Sequence, residues 1–330
     1  MGRPKVYITS RSFGQFCREA LELINSVAEI ERNPYGRAMT EGELLEAIKD
    51  ADGVIVGTDE INRNVLEQAR KLKIVARHGV GLSNIDLQAA TEKNVVVTYT
   101  PDANTESVAD FTMGLMLSVA RRIPQAHAST KQGRWEANKF MGTEVYGKTL
   151  GIVGLGTIGT AVVRRARGFN MRILYYSRTR KPHLEKELGV EYVDLETLLK
   201  ESDIVTVHVS LTDQTRSMIG EKELNLMKKT AFLMNTARGP VVDEKALHKA
   251  LKEGKIAGAA IDVYDKEPPG AEFRLFELDN IVVSPHIAAY TLEAICRMDT
   301  MNAEDIVRFF RGENPQYIAN PKVLEKLIKG

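Results

Sequence analysis

Short apolar runs alternate along this chain with stretches of helical periodicity, and this alternation restricts the possible folds more than any other feature. Near the N-terminus the apolar runs are Lys5 to Thr9, Gly53 to Gly57, Lys73 to Arg77 and Val95 to Thr98. Runs of this length that end in polar or glycine-rich segments are typical of buried strands. Strands that alternate with helices indicate a parallel sheet. The sequence therefore predicts an α/β fold with doubly wound parallel sheets.

The alternation occurs twice, and a long amphipathic stretch separates the two series. Thr100-Pro101 interrupts the first series, and a predicted connecting helix follows from Asn104 to about Gln132. The second series runs from Thr149 to Ile287, after which Leu292 to Gly312 is again helical and Pro315 begins a tail. A chain of 330 residues, 43% of them hydrophobic, is long enough to form two cores. We therefore expect two nucleotide-fold-like units.

Charge and cysteine content restrict the classes of partner. The net charge is +1, so we expect no nucleic acid and no acidic membrane surface as partners. No apolar run is long enough to span a bilayer, and the N-terminus leads straight into a strand rather than a signal-peptide core. The only cysteines, Cys17 and Cys296, are isolated in sequence, which fits a reducing compartment and provides no metal-binding spacing. These features favour a cytoplasmic protein without a metal.

A glycine-rich turn between a strand and a helix predicts a dinucleotide site. The strand is Leu150 to Val153, the turn is Gly154-Leu155-Gly156-Thr157-Ile158-Gly159, and the helix is Thr160 to Phe169. The first glycine permits a tight turn, the second lets the backbone approach a pyrophosphate, and the third lets the helix lie close to the strand. The helix N-terminus then faces the anion.

The end of the next strand bears on the choice between NAD and NADP. About 20 residues after the glycines, an NAD site normally has an Asp or Glu that binds the ribose 2′-hydroxyl. This chain instead has Ser177-Arg178-Thr179-Arg180 after the strand Met171 to Tyr176. Guanidinium and hydroxyl groups suit a 2′-phosphate, and no carboxylate is present to repel it. NADP is the preferred interpretation, and the alternative is an NAD enzyme on which Arg178 and Arg180 are ordinary loop charges.

Three polar residues follow short apolar runs in the second half of the chain: Arg238, Glu267 and His286. Ligands bind outside the carboxyl ends of the strands in open α/β sheets, so we expect these side chains to share one site. A guanidinium, a carboxylate and an imidazole together can bind an anionic carbonyl substrate and transfer a proton. His78 is the rival acid/base, although no carboxylate near it in sequence would orient its ring.

These residues and their surroundings resemble the D-isomer-specific 2-hydroxyacid dehydrogenase family over nearly the whole chain. The resemblance implies a flavodoxin-like substrate domain, residues 1–102 with 291–330, into which a Rossmann cofactor domain, residues 103–290, is inserted. It also implies a homodimer formed through the cofactor domain. The matching segments are Arg77 to Asp86, Asn104 to Ala109, the glycine motif, Asn235 to Gly239, Asp262 to Tyr264, Glu267-Pro268 and Ser284 to Ile287.

The resemblance also implies a role for each matched residue. His286 is then the general acid/base, Glu267 the residue that orients its ring, and Arg238 the group that binds the substrate carboxylate. We expect backbone amides of Val80-Gly81 to contact that carboxylate as well. Arg77 is a further expected substrate contact, and Arg77 and Lys139 are the cations that could bind the phosphate of a phosphorylated keto acid. Asp262 resembles the residue that holds the nicotinamide carboxamide. The expected cofactor contacts are Gly154, Leu155, Gly156, Thr157, Ile158, Gly159, Ser177, Arg178, Thr179, Arg180, His208, Thr236, Ala237 and Asp262.

The resemblance leaves the substrate open. Tyr175-Tyr176 and Ser177 to Arg180 resemble archaeal-type glyoxylate reductases, whereas Trp135-Glu136 and Lys139 to Glu144 resemble phosphoglycerate dehydrogenase. We expect a glyoxylate or hydroxypyruvate reductase that forms a D-2-hydroxy acid, with D-3-phosphoglycerate dehydrogenase as the alternative. A nucleotide-sensing corepressor without enzymatic activity is a more distant alternative.

Overall fold

The computed structural model describes residues 2–327, and within this range the chain divides into two compact units. The first unit contains the residues up to 104 together with those from 290 onward, and the second contains residues 105–289. Each unit is built around its own parallel sheet with helices. The predicted α/β class with two doubly wound sheets is therefore confirmed.

The first unit has a five-stranded parallel sheet among its described residues, in the order β2-β1-β3-β4-β5. Its central strands β3 and β4 are fully buried, as expected for a sheet covered on both faces. Its strands are β1 (Lys5–Ile8), β2 (Glu29–Arg32), β3 (Gly53–Val56), β4 (Ile74–Arg77) and β5 (Val96–Thr98). Its helices are α1 (Arg18–Asn25), α2 (Glu41–Ile48), α3 (Arg63–Gln68), α4 (Leu87–Glu92), α12 (Leu292–Phe310) and α13 (Lys322–Leu327).

The second unit has a seven-stranded parallel sheet among its described residues, in the order β12-β11-β10-β9-β6-β7-β8. The strand order reverses between β6 and β9, and such a reversal is where open α/β sheets bind nucleotides. Its strands are β6 (Thr149–Val153), β7 (Arg172–Tyr176), β8 (Glu191–Tyr192), β9 (Ile204–Val207), β10 (Phe232–Asn235), β11 (Gly258–Ile261) and β12 (Ile281–Val283). Its helices are α5 (Thr105–Ala120), α6 (Ile123–Lys131), α7 (Thr157–Ala166), α8 (Pro182–Leu188), α9 (Leu195–Glu201), α10 (Glu221–Leu226) and α11 (Glu244–Lys252).

Local sequence explains where many helices begin. Thr40 accepts a hydrogen bond from the backbone N–H of Glu43, whose side chain accepts one from the Thr40 N–H in return. Asp194 caps α9 by accepting a hydrogen bond from the Thr197 N–H, and Asp243 caps α11 by accepting from the N–H groups of Lys245 and Ala246. Side-chain acceptors at these positions satisfy helix N–H groups that have no partner within the helix.

The structure differs from the sequence predictions at four places. Strand β2 was not predicted, because its residues Glu29–Arg32 are mostly exposed and show no apolar run. Helical periodicity in the sequence begins at Ser12, but the first helix begins at Arg18, since Gly14 has a φ of +68° and its N–H donates to Asp299. The connecting helix is broken into α5 and α6 at Arg122, which has a left-handed backbone.

The predicted tail from Pro315 is the fourth difference, because part of it lies against strand β5. The N–H of Tyr99 donates to the Tyr317 carbonyl over 3.1 Å, and the N–H of Ala319 donates to the Val97 carbonyl over 2.7 Å. The Asn320 side chain is bonded to the Val97 N–H and to the Val95 carbonyl. Residues 317–320 thus continue the first sheet beyond β5, so part of the predicted tail is bonded to the sheet.

Candidate active site

Three neighbouring strands of the second unit bring Arg238, Glu267 and His286 to the same edge of the sheet. Strands β10, β11 and β12 are adjacent and parallel, so their carboxyl ends coincide. Arg238 follows the end of β10, Glu267 lies in the segment after β11, and His286 lies just after β12. The strand-end pattern in the sequence therefore corresponds to a real spatial arrangement within one unit.

His286 and Glu267 are in direct contact. The Nδ1 atom of His286 lies 2.5 Å from Oε2 of Glu267, while Oε1 of Glu267 accepts a hydrogen bond from the Tyr264 N–H over 3.0 Å. The imidazole is 36% exposed, so the ring is accessible to a ligand. The carboxylate fixes the ring through Nδ1, which leaves Nε2 as the nitrogen available for a reacting group.

Glu267 is held in its ionised form. Burial alone would raise the pKa of this carboxyl, but the hydrogen bond and charge of His286, the Tyr264 N–H and the charge of Arg238 keep the pKa below its usual value. A carboxylate that stays charged at neutral pH is able to stabilise a protonated imidazole beside it. The pair can therefore hold a proton at His286 for transfer.

Arg238 is largely buried near this carboxylate. Burial lowers the pKa of the guanidinium and the charge of Glu267 opposes that effect, while the group remains a cation because an arginine titrates far above neutrality. The side chain of Asn235 holds the loop: its amide donates to the Arg238 carbonyl over 3.0 Å, and its oxygen accepts from the Ala237 N–H over 3.1 Å. A desolvated cation in a fixed loop is suited to bind a small carboxylate.

Gly239 explains why the Arg238 loop can lie against the Glu267 segment. A Cβ atom at this position would lie 1.9 Å from the carbonyl carbon of Tyr264 and 2.4 Å from the nitrogen of Asp265. Both neighbours are backbone atoms, so a side chain could not be accommodated by a rotamer change. The close approach of the two loops therefore depends on glycine at this position.

Asp262 supports the segment that carries His286. One carboxylate oxygen accepts from the Ser284 hydroxyl over 2.6 Å and from the Ile287 N–H over 2.9 Å, and the other accepts from the Ala288 N–H over 2.8 Å. Its side chain is fully buried, and burial raises the pKa of the carboxyl against these hydrogen bonds. Both oxygens accept hydrogen bonds from residues 284–288, and the expected contact of Asp262 with the nicotinamide carboxamide stays a prediction.

The glycine motif lies at the reversal point of the second sheet. Gly154 has a φ of +101°, and a Cβ there would lie 2.8 Å from the carbonyl carbon of His208, which follows β9. A Cβ at Gly159 would lie 2.4 Å from the Gly154 carbonyl oxygen, so α7 lies directly on the turn. Gly156, the residue before α7, is exposed and has open space at its Cβ position. The start of α7, from the exposed Gly156 and Thr157 to the half-buried Ile158, forms a cradle that suits a pyrophosphate.

The segment predicted to bind a 2′-phosphate has mixed contacts. The buried Ser177 hydroxyl accepts from the Leu155 N–H over 2.8 Å and thereby fixes the glycine turn. Arg180 forms a bidentate pair with Glu185, with distances of 2.7 and 2.8 Å, and this pairing lowers the pKa of Glu185 to about 2. Arg178 is exposed and, in the described part of the chain, forms no ion pair; Thr179 is also exposed. Arg178 is thus the cation in this segment that can reach a ligand without breaking a pair.

Three further predicted cofactor contacts lie near the same strand ends. His208 is hydrogen-bonded to the Thr206 hydroxyl over 3.0 Å, and burial lowers the pKa of this histidine to about 4, so its ring is neutral. Thr236 is buried, with its hydroxyl 3.0 Å from that of Thr112, while Ala237 is partly buried in the Arg238 loop. These residues shape the wall beside the cradle.

The residues predicted in the first unit lie at the end of β4. The Arg77 guanidinium donates to the carbonyls of His78 and Gly81, and is buried against the backbone of Gly79. Val80 and Gly81 are only half buried. Arg77 thus stabilises its own loop, and its predicted contact with substrate stays a prediction.

His78 is a structural residue in this arrangement. Its Nδ1 lies 3.0 Å from the Ser10 hydroxyl, and its Nε2 lies 2.8 Å from Asp299, so both nitrogens have partners. Burial lowers the pKa of His78, although the neighbouring Asp299 carboxylate opposes this effect. A ring that is 6% exposed with both nitrogens engaged is poorly placed to exchange protons with a ligand. The rival acid/base suggested by the sequence is therefore much less suitable than His286.

Sequence reasoning missed several supporting residues. Tyr264 donates its N–H to Glu267 and its hydroxyl to the Ser284 carbonyl over 2.8 Å, which connects the two loops of the site. Glu185 pairs with Arg180, and the opposite charges of two residues five positions apart were the available signal. Among the described residues, no group of three or more His, Cys, Asp or Glu side chains could hold a metal ion, and no helix is long and apolar enough to cross a membrane.

This chain is similar to a described protein family and to proteins of known activity. Residues 113–288 match the family model described as D-isomer specific 2-hydroxyacid dehydrogenase, NAD binding domain. The chain is 47% identical to the glyoxylate reductase of Thermococcus litoralis, with 98% of both proteins covered. It is 48% identical to the D-3-phosphoglycerate dehydrogenase of Methanocaldococcus jannaschii over 92% of this chain, but over 57% of that longer protein.

A solved structure with bound ligands is also similar. It is the NADPH-dependent glyoxylate/hydroxypyruvate reductase of Sinorhizobium meliloti in complex with NADP and malonate. The TM-score is 0.83 and the identity 30%, with 97% of this chain and 98% of that chain covered.

Proposed function

Because the chain belongs to the D-isomer-specific 2-hydroxyacid dehydrogenase family, we propose that it reduces glyoxylate and hydroxypyruvate to the corresponding 2-hydroxy acids. The family makes it an oxidoreductase that uses a nicotinamide cofactor. The observation that carries the proposal is the contact of His286 with Glu267 beside Arg238, in the same unit as the glycine cradle.

The residues of the second unit fit a nicotinamide dinucleotide. The open position at Gly156 and the exposed start of α7 can receive the pyrophosphate without displacing a side chain. Residues Leu155, Thr157, Ile158 and Ser177 would define the walls of that cradle. When bound and reduced, the cofactor supplies the hydride for the carbonyl carbon.

The side chains at the strand ends provide the remaining chemistry. Arg238 binds the substrate carboxylate and polarises the adjacent keto oxygen. His286, protonated and fixed through Nδ1, donates the proton on Nε2 to that oxygen as it becomes a hydroxyl. Glu267 orients the ring and stabilises its charged form before the transfer. In the reverse direction the neutral His286 removes the hydroxyl proton.

We expect the Glu267→Gln substitution to shift the pH profile of reduction toward acid. Because the pKa of Glu267 is lowered, its charge and the stability of its pair with His286 are fully present above the usual glutamate pKa. Both persist below that value and are lost only as pH falls through the lowered pKa. Gln keeps a hydrogen bond but not the charge, so the protonated imidazole is less stable. Steady-state rates across pH should show the decline in reduction beginning at lower pH than in the unsubstituted enzyme. An unchanged profile would contradict this role.

The contacts of two cations favour a small substrate over a phosphorylated one. A phosphorylated keto acid requires further positive groups, and the sequence offered only Arg77 and Lys139. Arg77 is buried on its own loop, and Lys139 is paired with Glu136 at 2.5 Å. Glyoxylate needs one cation for its carboxylate and one proton donor, and Arg238 and His286 supply these. The resemblance of residues 135–144 to phosphoglycerate dehydrogenase keeps that activity as the second candidate.

We therefore expect kcat/KM to be higher for glyoxylate and hydroxypyruvate than for 3-phosphohydroxypyruvate. The measurement is initial-rate kinetics with each keto acid and both reduced cofactors. Phosphorylated and unphosphorylated hydroxypyruvate form the matched pair, because they differ only in the phosphate. A clearly higher kcat/KM for the phosphorylated acid would reverse the assignment and favour the second candidate.

For the cofactor, we propose NADP, with Arg178 as the principal contact of the 2′-phosphate. Arg178→Ala should weaken the binding of NADPH about tenfold to a hundredfold, as expected for loss of a charge-assisted hydrogen bond of about 1.5–3 kcal/mol. The affinity for NADH should be nearly unchanged. Arg180→Ala is the matched control, since Arg180 is already paired with Glu185. Dissociation constants from cofactor fluorescence give the comparison. Equal losses for both cofactors, or a preference of the unsubstituted enzyme for NADH, would contradict the proposal.

We also propose a cytoplasmic homodimer formed through the cofactor domain, residues 103–290. Support comes from large apolar side chains that the described second unit leaves exposed: Trp135 at 89%, Met141 at 79% and Tyr146 at 60%. Exposed apolar groups of this size, close together in sequence, are typical of a surface that another protein covers.

A further inference from the structure

The two cysteines of the chain, isolated in sequence, lie in the same unit of the structure and on helices that pack against each other. Cys17 immediately precedes α1, and Cys296 is in the second turn of α12. The sequence contains no other cysteine. Neither thiol has a part in the chemistry proposed above, and both are unoxidised and partly exposed.

Contacts with α12 place the Cys17 sulfur on the face of the helix that carries Cys296. The sulfur of Cys17 lies 3.9 Å from the hydroxyl of Thr300, which is one helical turn after Cys296. Residues four apart on a helix are neighbours on one face. The Cys17 thiol is close enough to Cys296 to contribute to the raised pKa of the Cys296 thiol. The N–H of Gly14 also donates to Asp299 over 2.9 Å, so the segment leading to Cys17 is anchored on α12.

We propose that Cys17 and Cys296 form a reversible intramolecular disulfide. Two thiols lose two protons and two electrons as the S–S bond forms, and hydrogen peroxide takes them up to become two molecules of water. Attack by one thiolate on peroxide gives a sulfenic acid and water, and attack by the second thiol on that sulfur releases the other water. A cellular dithiol reverses the reaction by exchange.

The environment of the pair suits a bond that forms only under oxidising conditions. Burial, and next the neighbouring Cys17 thiol, raise the pKa of Cys296, so its thiolate is scarce at neutral pH. The dithiol form therefore persists without an oxidant. Both cysteine residues are partly exposed, so a small reagent such as peroxide can approach them.

The bond would join the start of α1 to the helix that holds the loop after β4. Asp299, one turn after Cys296, binds both His78 and the Gly14 N–H. A cross-link between residues 17 and 296 also closes a very long chain segment, which restricts the unfolded state strongly. Oxidation should raise the melting temperature by about 5–10 °C, from the usual effect of a disulfide on a domain of this size.

The test treats the full-length reduced protein with hydrogen peroxide, blocks remaining thiols by alkylation and digests it with trypsin without reduction. We expect one cross-linked species composed of peptides 12–18 and 275–297, loss of both free thiols, and recovery of both after dithiothreitol. The oxidised protein should migrate as a monomer on a non-reducing denaturing gel. Cross-linking between two chains, or peroxide-treated thiols that end only as sulfinic and sulfonic acids, would overturn the proposal.

Cys17→Ser and Cys296→Ser are matched controls for the shift in melting temperature. Each removes one sulfur and should abolish both the cross-linked peptide and the peroxide-induced rise. A rise of equal size in either variant would show that peroxide acts elsewhere and would overturn the proposal. The peptide analysis of the unsubstituted protein stands even where a variant folds poorly. It also requires no turnover, so its outcome is independent of the proposed reductase activity.

Discussion

Replacing His286 with alanine is expected to lower kcat for glyoxylate reduction by about a thousandfold, while cofactor binding changes little. A positioned general acid accelerates a reaction on the order of 10²–10⁴-fold. His286 is positioned by the 2.5 Å contact of its Nδ1 with Oε2 of Glu267, which leaves its Nε2 available to the substrate. The substitution removes the proton donor but leaves the cradle around Gly154 to Gly159 intact. Initial rates and a cofactor titration by fluorescence check both parts of the expectation.

Two controls make this result specific to His286. His183→Ala removes an exposed histidine of the same unit, in α8, and should leave kcat unchanged. His78→Asn disturbs the buried pair with Asp299, so its expected effect is on the free energy of unfolding rather than on the pH dependence of the rate. A His286→Ala enzyme with kcat near that of the unsubstituted protein would contradict the assignment.

Gly239→Ala is expected to have the second largest effect, by separating the two loops of the site. Its new Cβ would lie 1.9 Å from the Tyr264 carbonyl carbon, so the backbone of at least one loop must move. Overpacking typically costs about 1–3 kcal/mol of folding free energy. A misplacement of about 1 Å in a reacting group lowers the rate on the order of a hundredfold. We therefore expect a lower melting temperature together with a much lower kcat/KM.

The matched control for this substitution is Gly168→Ala. Gly168 is exposed in the same unit, and a Cβ there would have open space, so both stability and kcat/KM should be nearly unchanged. Thermal unfolding and initial-rate kinetics distinguish the two variants. A Gly239→Ala enzyme as stable and active as Gly168→Ala would mean that the loops tolerate separation, and that their close approach is not needed for turnover.

Much of the fold followed from local patterns in the sequence. Apolar runs such as Gly53 to Gly57 are buried on both faces, which makes them recognisable without knowledge of their neighbours. Strand β2 was not predicted, because an edge strand buries few side chains and therefore needs no apolar run. Its residues Glu29–Arg32 are mostly charged. The pattern at strand ends was likewise sufficient to predict that Arg238, Glu267 and His286 lie close together, since the carboxyl ends of parallel strands lie at the same edge of a sheet.

What the sequence did not indicate were contacts between residues distant along the chain. The sequence carried no sign that the oxygens of Asp262 bind the Ser284 hydroxyl and the backbone of residues 287–288. Cys17 and Cys296 were considered isolated because their proximity depends on how α1 lies on α12. Hydrogen-bond partners of this kind depend on the assembled fold rather than on spacing.

The chain segment beside β5 bears on how the first unit avoids self-association. A bare edge strand offers a row of free N–H and C=O groups that can recruit a strand from another molecule, which is a common start of aggregation. Residues 317–320 occupy that side of β5 with backbone and Asn320 hydrogen bonds. On the opposite side, β2 presents Glu29, Glu31 and Arg32, and charges on an edge discourage pairing. One border of this sheet is therefore covered and the other is electrostatically protected, so the unit can stay dispersed at high concentration.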